Sequence, residues 1–387
     1  RIKKLQNLFT SLNIDALFIT NFFNILYFTG FRTLVPHERE AYVLVTREGV
    51  YIFSDGRYAD NIQYPISNNQ SPISKQAAIS NKPIFKLLTT EKGLMKHLQE
   101  IIAEEKIVKL GFEREDLKWS EYNTFQKTLG VELVPQDRVG IKIRAMKETQ
   151  EIEKIQKACE IGDECLSDIS KLLRLDMSEK EIGWKIESWI RQKRYEIAFD
   201  PIVAVDANSA VPHYDTKNGN GRVKRDSIIL IDMGVKYEGY NSDITRMFFI
   251  GEQPEEVVSA YQILLDAQTK IIQHISKEKK LSELDSFCRK EVARYTLHDL
   301  SYPHSTGHGV GLEVHENPKV SGTSEEILQP GNVITIEPGI YIPGKWGMRV
   351  EDTVALMPDN KIKVMTAYPK EGGAPAPFQD VFHLPRV

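Results

Sequence analysis

The sequence predicts a two-part α+β protein: an α/β domain over residues 1–135, a larger domain over 136–371, and a Pro/Gly-rich tail at 372–387. Three observations carry that reading. Short helical and strand patterns alternate up to about residue 135, and a Pro-containing junction stands at Val134-Pro135-Gln136-Asp137. Strong helical periodicity then sets in at Lys147, before the chain turns mostly to strands after Phe199. The length of 387 residues agrees with two or three domains, at about 150 residues each.

The elements follow in order. Leu5, Leu8, Phe9 and Leu12 repeat at helical spacing, and Ala16-Leu17-Phe18-Ile19 is a compact buried-strand signal. Two apolar runs, Ala41 to Thr46 and Val50 to Phe53, flank Arg47-Glu48-Gly49 in a hairpin pattern. A helix over Leu94 to Glu105 and a strand over Lys109 to Phe112 complete this domain. Beyond the junction, Ile152, Ile155, Ala158, Cys159, Gly162, Cys165, Leu166 and Ile169 keep one helical face apolar, which makes Cys159 and Cys165 core residues. Ser178 followed by Glu181 is a capping box that opens a second helix toward Arg194. Further helices are expected at Glu255 to Glu278 and Leu281 to Leu297.

Composition excludes several classes of partner. Lysine and arginine number 50 against 54 acidic residues, a formal charge of −4, so there is no basic footprint for nucleic acid and no polybasic patch for a membrane surface. No apolar run approaches the roughly 18 residues of a membrane-spanning helix. Three cysteines without a C-x-x-C spacing build neither a disulfide framework nor a thiolate zinc site. The amphipathic start, Arg1-Ile-Lys-Lys-Leu5, lacks a signal-peptide core, and a cytoplasmic location is the expectation.

The chemistry concentrates between His213 and Glu351. Two apolar strands, Ser227 to Gly234 and Ser242 to Phe249, each carry a carboxylate, Asp232 and Asp243. A hairpin centred between Tyr237 and Glu238 sets these two opposite each other. Glu337 ends the apolar strand beginning at Val333, and Glu351 lies in the strand after Gly347; a turn centred on Gly344 sets this second pair opposite as well. Opposed residues in an antiparallel pair have Cβ atoms about 4.5–5.5 Å apart. Buried carboxylates that close repel unless protonated or bridged by a cation.

A histidine-rich segment, His304-Ser-Thr-Gly-His308-Gly-Val-Gly311-Leu-Glu-Val-His315-Glu316, offers the remaining ligand type. Its spacing of His304 and His308 matches a zinc-binding helix, but Gly307, Gly309 and Gly311 argue against a helix there. Four carboxylates and one imidazole favour a pair of divalent ions, Mn²⁺ first, with Co²⁺ or Zn²⁺ admitted by the histidine. Two such ions about 3.5–4 Å apart share a hydroxide and clamp the oxygens of a hydrolytic transition state.

Asp232, Asp243, His308, Glu337 and Glu351 resemble, in order and context, the five metal ligands of the pita-bread metallopeptidases, the family of methionine aminopeptidase, aminopeptidase P and prolidase. The resemblance covers nearly the whole chain. The N-terminal half is similar to the creatinase-type domain of aminopeptidase P and prolidase, including a recurrent segment at Asp55-Gly-Arg57-Tyr58.

The resemblance implies a creatinase-type domain followed by a pita-bread catalytic domain. It further implies that Asp232 chelates one metal, Asp243 bridges both, His308 binds the other, and Glu337 and Glu351 complete the site, with Glu337 also moving the proton of the bridging water. His213 would contact substrate, His304 and His315 would contact substrate and stabilise the tetrahedral intermediate, and Arg349 would engage acid groups near the metals or the substrate. The implied activity is hydrolysis of an amino-terminal Xaa-Pro bond in a peptide with proline at its second position. Aminopeptidase P is the first reading and the dipeptidase prolidase the second; a creatinase-like or binding member of the fold is a third. The family resemblance also implies a homodimer, with which an exposed aromatic stretch from Phe22 to Phe28 is compatible.

Overall fold

The computed structural model describes residues 1–35, 38–58, 83–275, 280–294 and 302–370. The tail at 372–387 and the expected helical ends beyond residues 275 and 294 lie outside the described residues. The chain divides into two compact units, Arg1–Arg144 and Ala145–Val387.

The first unit is built on a six-stranded mixed sheet: β1 (Ala16–Ile19), β2 (Ala41–Thr46), β3 (Val50–Asp55), β4 (Ile84–Leu88), β5 (Lys109–Glu113) and β6 (Glu132–Gln136), in the order β4-β3-β2-β1-β5-β6. All four residues of β1 are buried, as its continuous apolar run demands of a central strand. The hairpin between β2 and β3 is held by Thr46 Oγ1, which accepts from the backbone N–H of Glu48 and Gly49. Helix α1 (Ile2–Leu12) buries Leu5 and Phe9, and α3 (Leu94–Glu104) buries Leu98, Ile101 and Ile102. The aromatic stretch does not form an exposed face. Asn21 caps a helix there, α2 (Phe22–Thr29), and Ile25, Tyr27 and Phe28 turn inward. Helix α4 (Trp119–Thr128) and helix α5 (Val139–Ala145) complete the series.

In the second unit α6 (Thr149–Ser170) buries Cys159 and Cys165 on its apolar stripe. The Ser178–Glu181 capping box opens α7 (Glu179–Gln192). Short strands follow: β7 (Glu196–Ile197), β8 (Ile202–Val205), β9 (Ile228–Met233), β10 (Val235–Tyr237), β11 (Tyr240–Asn241) and β12 (Ile244–Phe249). After α8 (Glu255–His274) and α9 (Leu281–Val292) come β13 (Gly307–Gly309), β14 (Glu316–Val320), β15 (Val333–Ile336), β16 (Gly339–Ile342), β17 (Trp346–Arg349), β18 (Asp352–Leu356) and β19 (Ile362–Val364). The sheets are β12-β9-β8, β11-β10-β7, β14-β13-β15-β18-β19 and the pair β16-β17.

Strand β9 is buried on both faces. Ile229, Ile231 and Met233 enter the core made with α6 and α7, whereas Ile228 and Leu230 enter the one made with α8 and α9. Among the described residues, no helix is long and apolar enough to cross a membrane.

Candidate metal centre

Period-2 alternation decides where the acids point. Asp232 shares the face of Ile228 and Leu230. Across the ladder it meets Thr245, with Ile244 opposite Met233. This corrects the register expected from the sequence, in which Asp232 faced Asp243. The turn is Glu238-Gly239, with φ of 47° and 87°, and Tyr237 pairs with Tyr240 across it. Two positive φ values in a two-residue loop are the I′ geometry, which matches the twist of the strands. Asp243 therefore stands just before β12, two residues from Thr245, on the face that Asp232 shares.

The second pair holds its expected register. β15 pairs with β18 up to Ile336 and Asp352, and β16 pairs with β17 from Gly339 and Arg349 around the Gly344 turn. Glu337 and Glu351 fall between those ladders, facing each other. Their backbone N–H groups turn outward, Glu337 to Thr306 O and Glu351 to Thr245 O. The glycine-flanked segment at His308 forms β13, a strand rather than a helix, as its glycines require.

Asp232, Asp243, His308 and Glu351 are buried and Glu337 is half-buried. Their ligand atoms fall into overlapping groups, each within 4.8 Å: Asp232 with Asp243 and Glu351, His308 with Glu337 and Glu351, and Asp243 with His308 and His315. Burial, followed by repulsion from Glu351, pushes the carboxyls of Asp243 and Glu337 well above the usual range. Burial and Asp232 push Glu351 up to about 8. Burial also raises Asp232, with Arg349 opposing it.

The histidine at the centre gives the sharpest test of what this set can hold. His308 Nδ1 lies 3.1 Å from Gly309 O. A carbonyl only accepts, so Nδ1 carries the proton and Nε2 presents its lone pair. That lone pair faces Asp243 Oδ2 at 3.6 Å and Glu337 Oε1 at 3.5 Å. Burial holds the imidazole neutral, down to about 3. Asp232 Oδ1, too, is buried and accepts no hydrogen bond. A lone pair and several carboxylate oxygens converging in a buried space fit divalent cations, and the oxygen-rich donor set fits hard ones.

Around the acids runs a hydrogen-bonded frame centred on buried Arg349. Its Nη2 pairs with Asp232 Oδ2, its Nε donates to Thr245 Oγ1 at 3.0 Å, and its Nη1 reaches Tyr341 Oη at 3.0 Å and Pro212 O at 3.3 Å. Thr245 in turn donates to Glu351 Oε2 at 2.6 Å. Tyr341 Oη is 3.0 Å from His304 Nε2, while His304 Nδ1 meets Ser305 O at 2.8 Å. The carbonyl fixes the Nδ1–H tautomer, so the tyrosine hydroxyl donates to Nε2. Burial keeps His304 neutral, down to about 4. His315 is exposed at the rim, its ring edge-on to His308 at 4.3 Å between centroids. His213 is exposed and close enough to act electrostatically on Asp232, His304 and His315. All nine site residues expected from the sequence thus come together in the second unit. Tyr341 and Thr245 were missed. The available signal was a polar side chain on a strand next to a ligand, Thr245 two residues beyond Asp243.

Comparison with known proteins gives this geometry its family. Residues 1–146 match the creatinase/prolidase N-terminal domain, and residues 153–357 match metallopeptidase family M24. An Xaa-Pro dipeptidase of Pyrococcus horikoshii is 33% identical over 372 residues, which cover 96% of this chain and 98% of that protein. Among solved structures, an Xaa-Pro dipeptidase from Bacillus anthracis superimposes with a TM-score of 0.83 at 28% identity, covering 96% and 98% of the two chains. An X-Pro aminopeptidase from Thermotoga maritima follows with 0.79 at 28% identity and the same coverage. Both expected domains, the creatinase-type one and the catalytic one, are matched, and the chain belongs to metallopeptidase family M24.

Proposed function

We propose that this protein is an Xaa-Pro dipeptidase, a hydrolase that splits the bond before a carboxy-terminal proline with two divalent metal ions, Mn²⁺ first. The observation that carries the metal reading is the His308 Nε2 lone pair aimed at Asp243 and Glu337. The preference for dipeptides over longer peptides reverses the order in which the sequence alone ranked them. It is supported by relatives named as Xaa-Pro dipeptidases that match end to end. The aminopeptidase reading is kept as second because an X-Pro aminopeptidase superimposes over the same span.

Asp232, Asp243 and Glu351 would hold one ion, and His308, Glu337 and Glu351 the other, with Asp243 between them. When bound, the pair lowers the pKa of a shared water toward 7 and polarises the scissile carbonyl. The chain's own residues do the rest. Glu337 would take the proton released by the attacking water at a carboxylate oxygen and pass it to the departing proline nitrogen. His315, at the rim, is placed to donate to the oxyanion, as an imidazole N–H can. His304 has its Nδ1–H committed to Ser305 O, so it positions substrate through the Tyr341 contact instead. Arg349 binds Asp232 and, through Pro212 O, steadies the loop that carries His213. A homodimer, implied by the family resemblance, belongs to the same reading and is measured by sedimentation.

The deciding assay gives the Mn²⁺-loaded protein Gly-Pro and a proline-containing tripeptide such as Gly-Pro-Ala. Faster hydrolysis of Gly-Pro is expected. Preference for the tripeptide would move the reading to the aminopeptidase, and no cleavage of either with metal bound would sink the peptidase altogether.

A further inference from the structure

We infer that Gln268, a residue of α8 outside the acid cluster, is the positioning residue that sets the separation of Glu337 and Glu351; the inference rests on the metal reading above. Beside these glutamates the strand ladders lapse, and Val350 N–H to Pro338 O at 3.3 Å is the backbone bond that still joins the two strands there. Pro338 has no N–H, the β15–β18 ladder stops at Ile336 and Asp352, and β16–β17 begins only at Gly339 and Arg349. In the gap the N–H groups of Glu337 and Glu351 turn away to Thr306 O and Thr245 O.

One side chain spans that gap. Gln268 is fully buried, and its Nε2 donates to Ile336 O at 3.0 Å and to Val350 O at 3.1 Å. These are the carbonyls immediately preceding Glu337 and Glu351. An amide nitrogen has two hydrogens in a fixed plane, so it can hold two acceptors at one spacing. Its orientation is fixed from behind, because Lys370 Nζ donates to Gln268 Oε1 at 2.7 Å. Lys370 also pairs with Asp352, the residue after Glu351, and its own carbonyl accepts from Tyr261, two turns before Gln268 on the same face of α8. The glutamates are thereby gripped from the helix side at backbone atoms, while Thr245 orients one carboxylate from the other side. Partners that orient metal ligands are worth about 10–100-fold in metal affinity when removed.

The test is Mn²⁺ titration of chelator-treated, folded protein by calorimetry. Wild type is expected to bind two ions per chain. Gln268→Leu keeps the volume and removes both donors, and its Mn²⁺ affinity should fall about 10–100-fold. Leu264→Ala, in the core of the same helix, should lower Tm and leave that affinity alone. Unchanged affinity in Gln268→Leu, or an equal fall in Leu264→Ala, overturns the assignment. Should Gln268→Leu fail to fold, Lys370→Met serves instead. It releases the amide's anchor and should weaken binding by a smaller factor, and wild-type affinity there counts equally against the idea. Absence of any binding by wild type overturns the metal reading itself; normal binding by wild type and variants overturns only the role of Gln268.

Discussion

Single side chains in this site do two different jobs, and substitutions should separate them. On the proposed reading Asp232 and Glu351 serve as metal donors, so Asp232→Asn or Glu351→Gln should abolish bound divalent metal; full metal content by elemental analysis would contradict the ligand assignment. Tyr341 is a linker between Arg349 and His304. Tyr341→Phe should leave metal content intact and lower kcat about tenfold, at the lower edge of what such supporting groups contribute. Titration offers an independent check. Glu351, pushed up to about 8, holds a proton in the folded metal-free chain that an unfolded glutamate loses near about 4.3. A raised folded pKa gives stability that is complete at low pH and is lost as pH rises toward that value. The imidazoles of His304 and His308 are neutral when folded and add an opposing slope only until their unfolded counterparts lose their protons, by about pH 7.5. The Tm of EDTA-treated protein should therefore fall between about pH 7.5 and 8.5, and that of Mn²⁺-loaded protein should not. Parallel curves would show that the buried proton is absent.

Elements carried much of the site in the sequence, and the exception is instructive. The Glu337–Glu351 register could be read because Gly344, with φ of 75°, marks its turn without ambiguity. The Asp232–Asp243 register could not, because Glu238 adopts a left-handed conformation that side chains with a Cβ disfavour. The turn centre therefore lay one position beyond where residue preferences put it, and the pairing shifted by two. Side chains kept their faces under that even shift, so Asp232 and Asp243 still stand on one face. Tyr341 and Thr245 were harder to read for another reason: His304 lies 37 residues from Tyr341 and Arg349 lies 104 residues from Thr245 along the chain. Glycines at β13 make an element-scale prediction. A Cβ on Gly307 would lie 1.9 Å from Thr335 O, a backbone atom. Gly307→Ala should push His308 out of place, costing roughly 1–3 kcal/mol and weakening Mn²⁺ binding. Gly344→Ala meets nothing within 4 Å. It should cost only the left-handed strain of about 1–2 kcal/mol and leave binding unchanged.

At the scale of the whole molecule, the formal charge of −4 and the four clustered acids belong together. Two divalent ions would cancel that excess within one buried spot, so solubility owes little to the site and the remaining surface is close to neutral. Each unit also closes its own core with its own periodicity. The two acid-bearing hairpins also have a kinetic consequence. Each joins its carboxylates through a short local turn, whereas His308 reaches them from a remote segment. Short loops cost little closure entropy and form early, and distant strands pair late. Oxygen donors are therefore gathered before the nitrogen donor arrives, and a hard cation can be caught by a half-built site. Refolding started with Mn²⁺ already present should outpace refolding to which Mn²⁺ is added afterwards; equal rates would place capture after the last strand has docked.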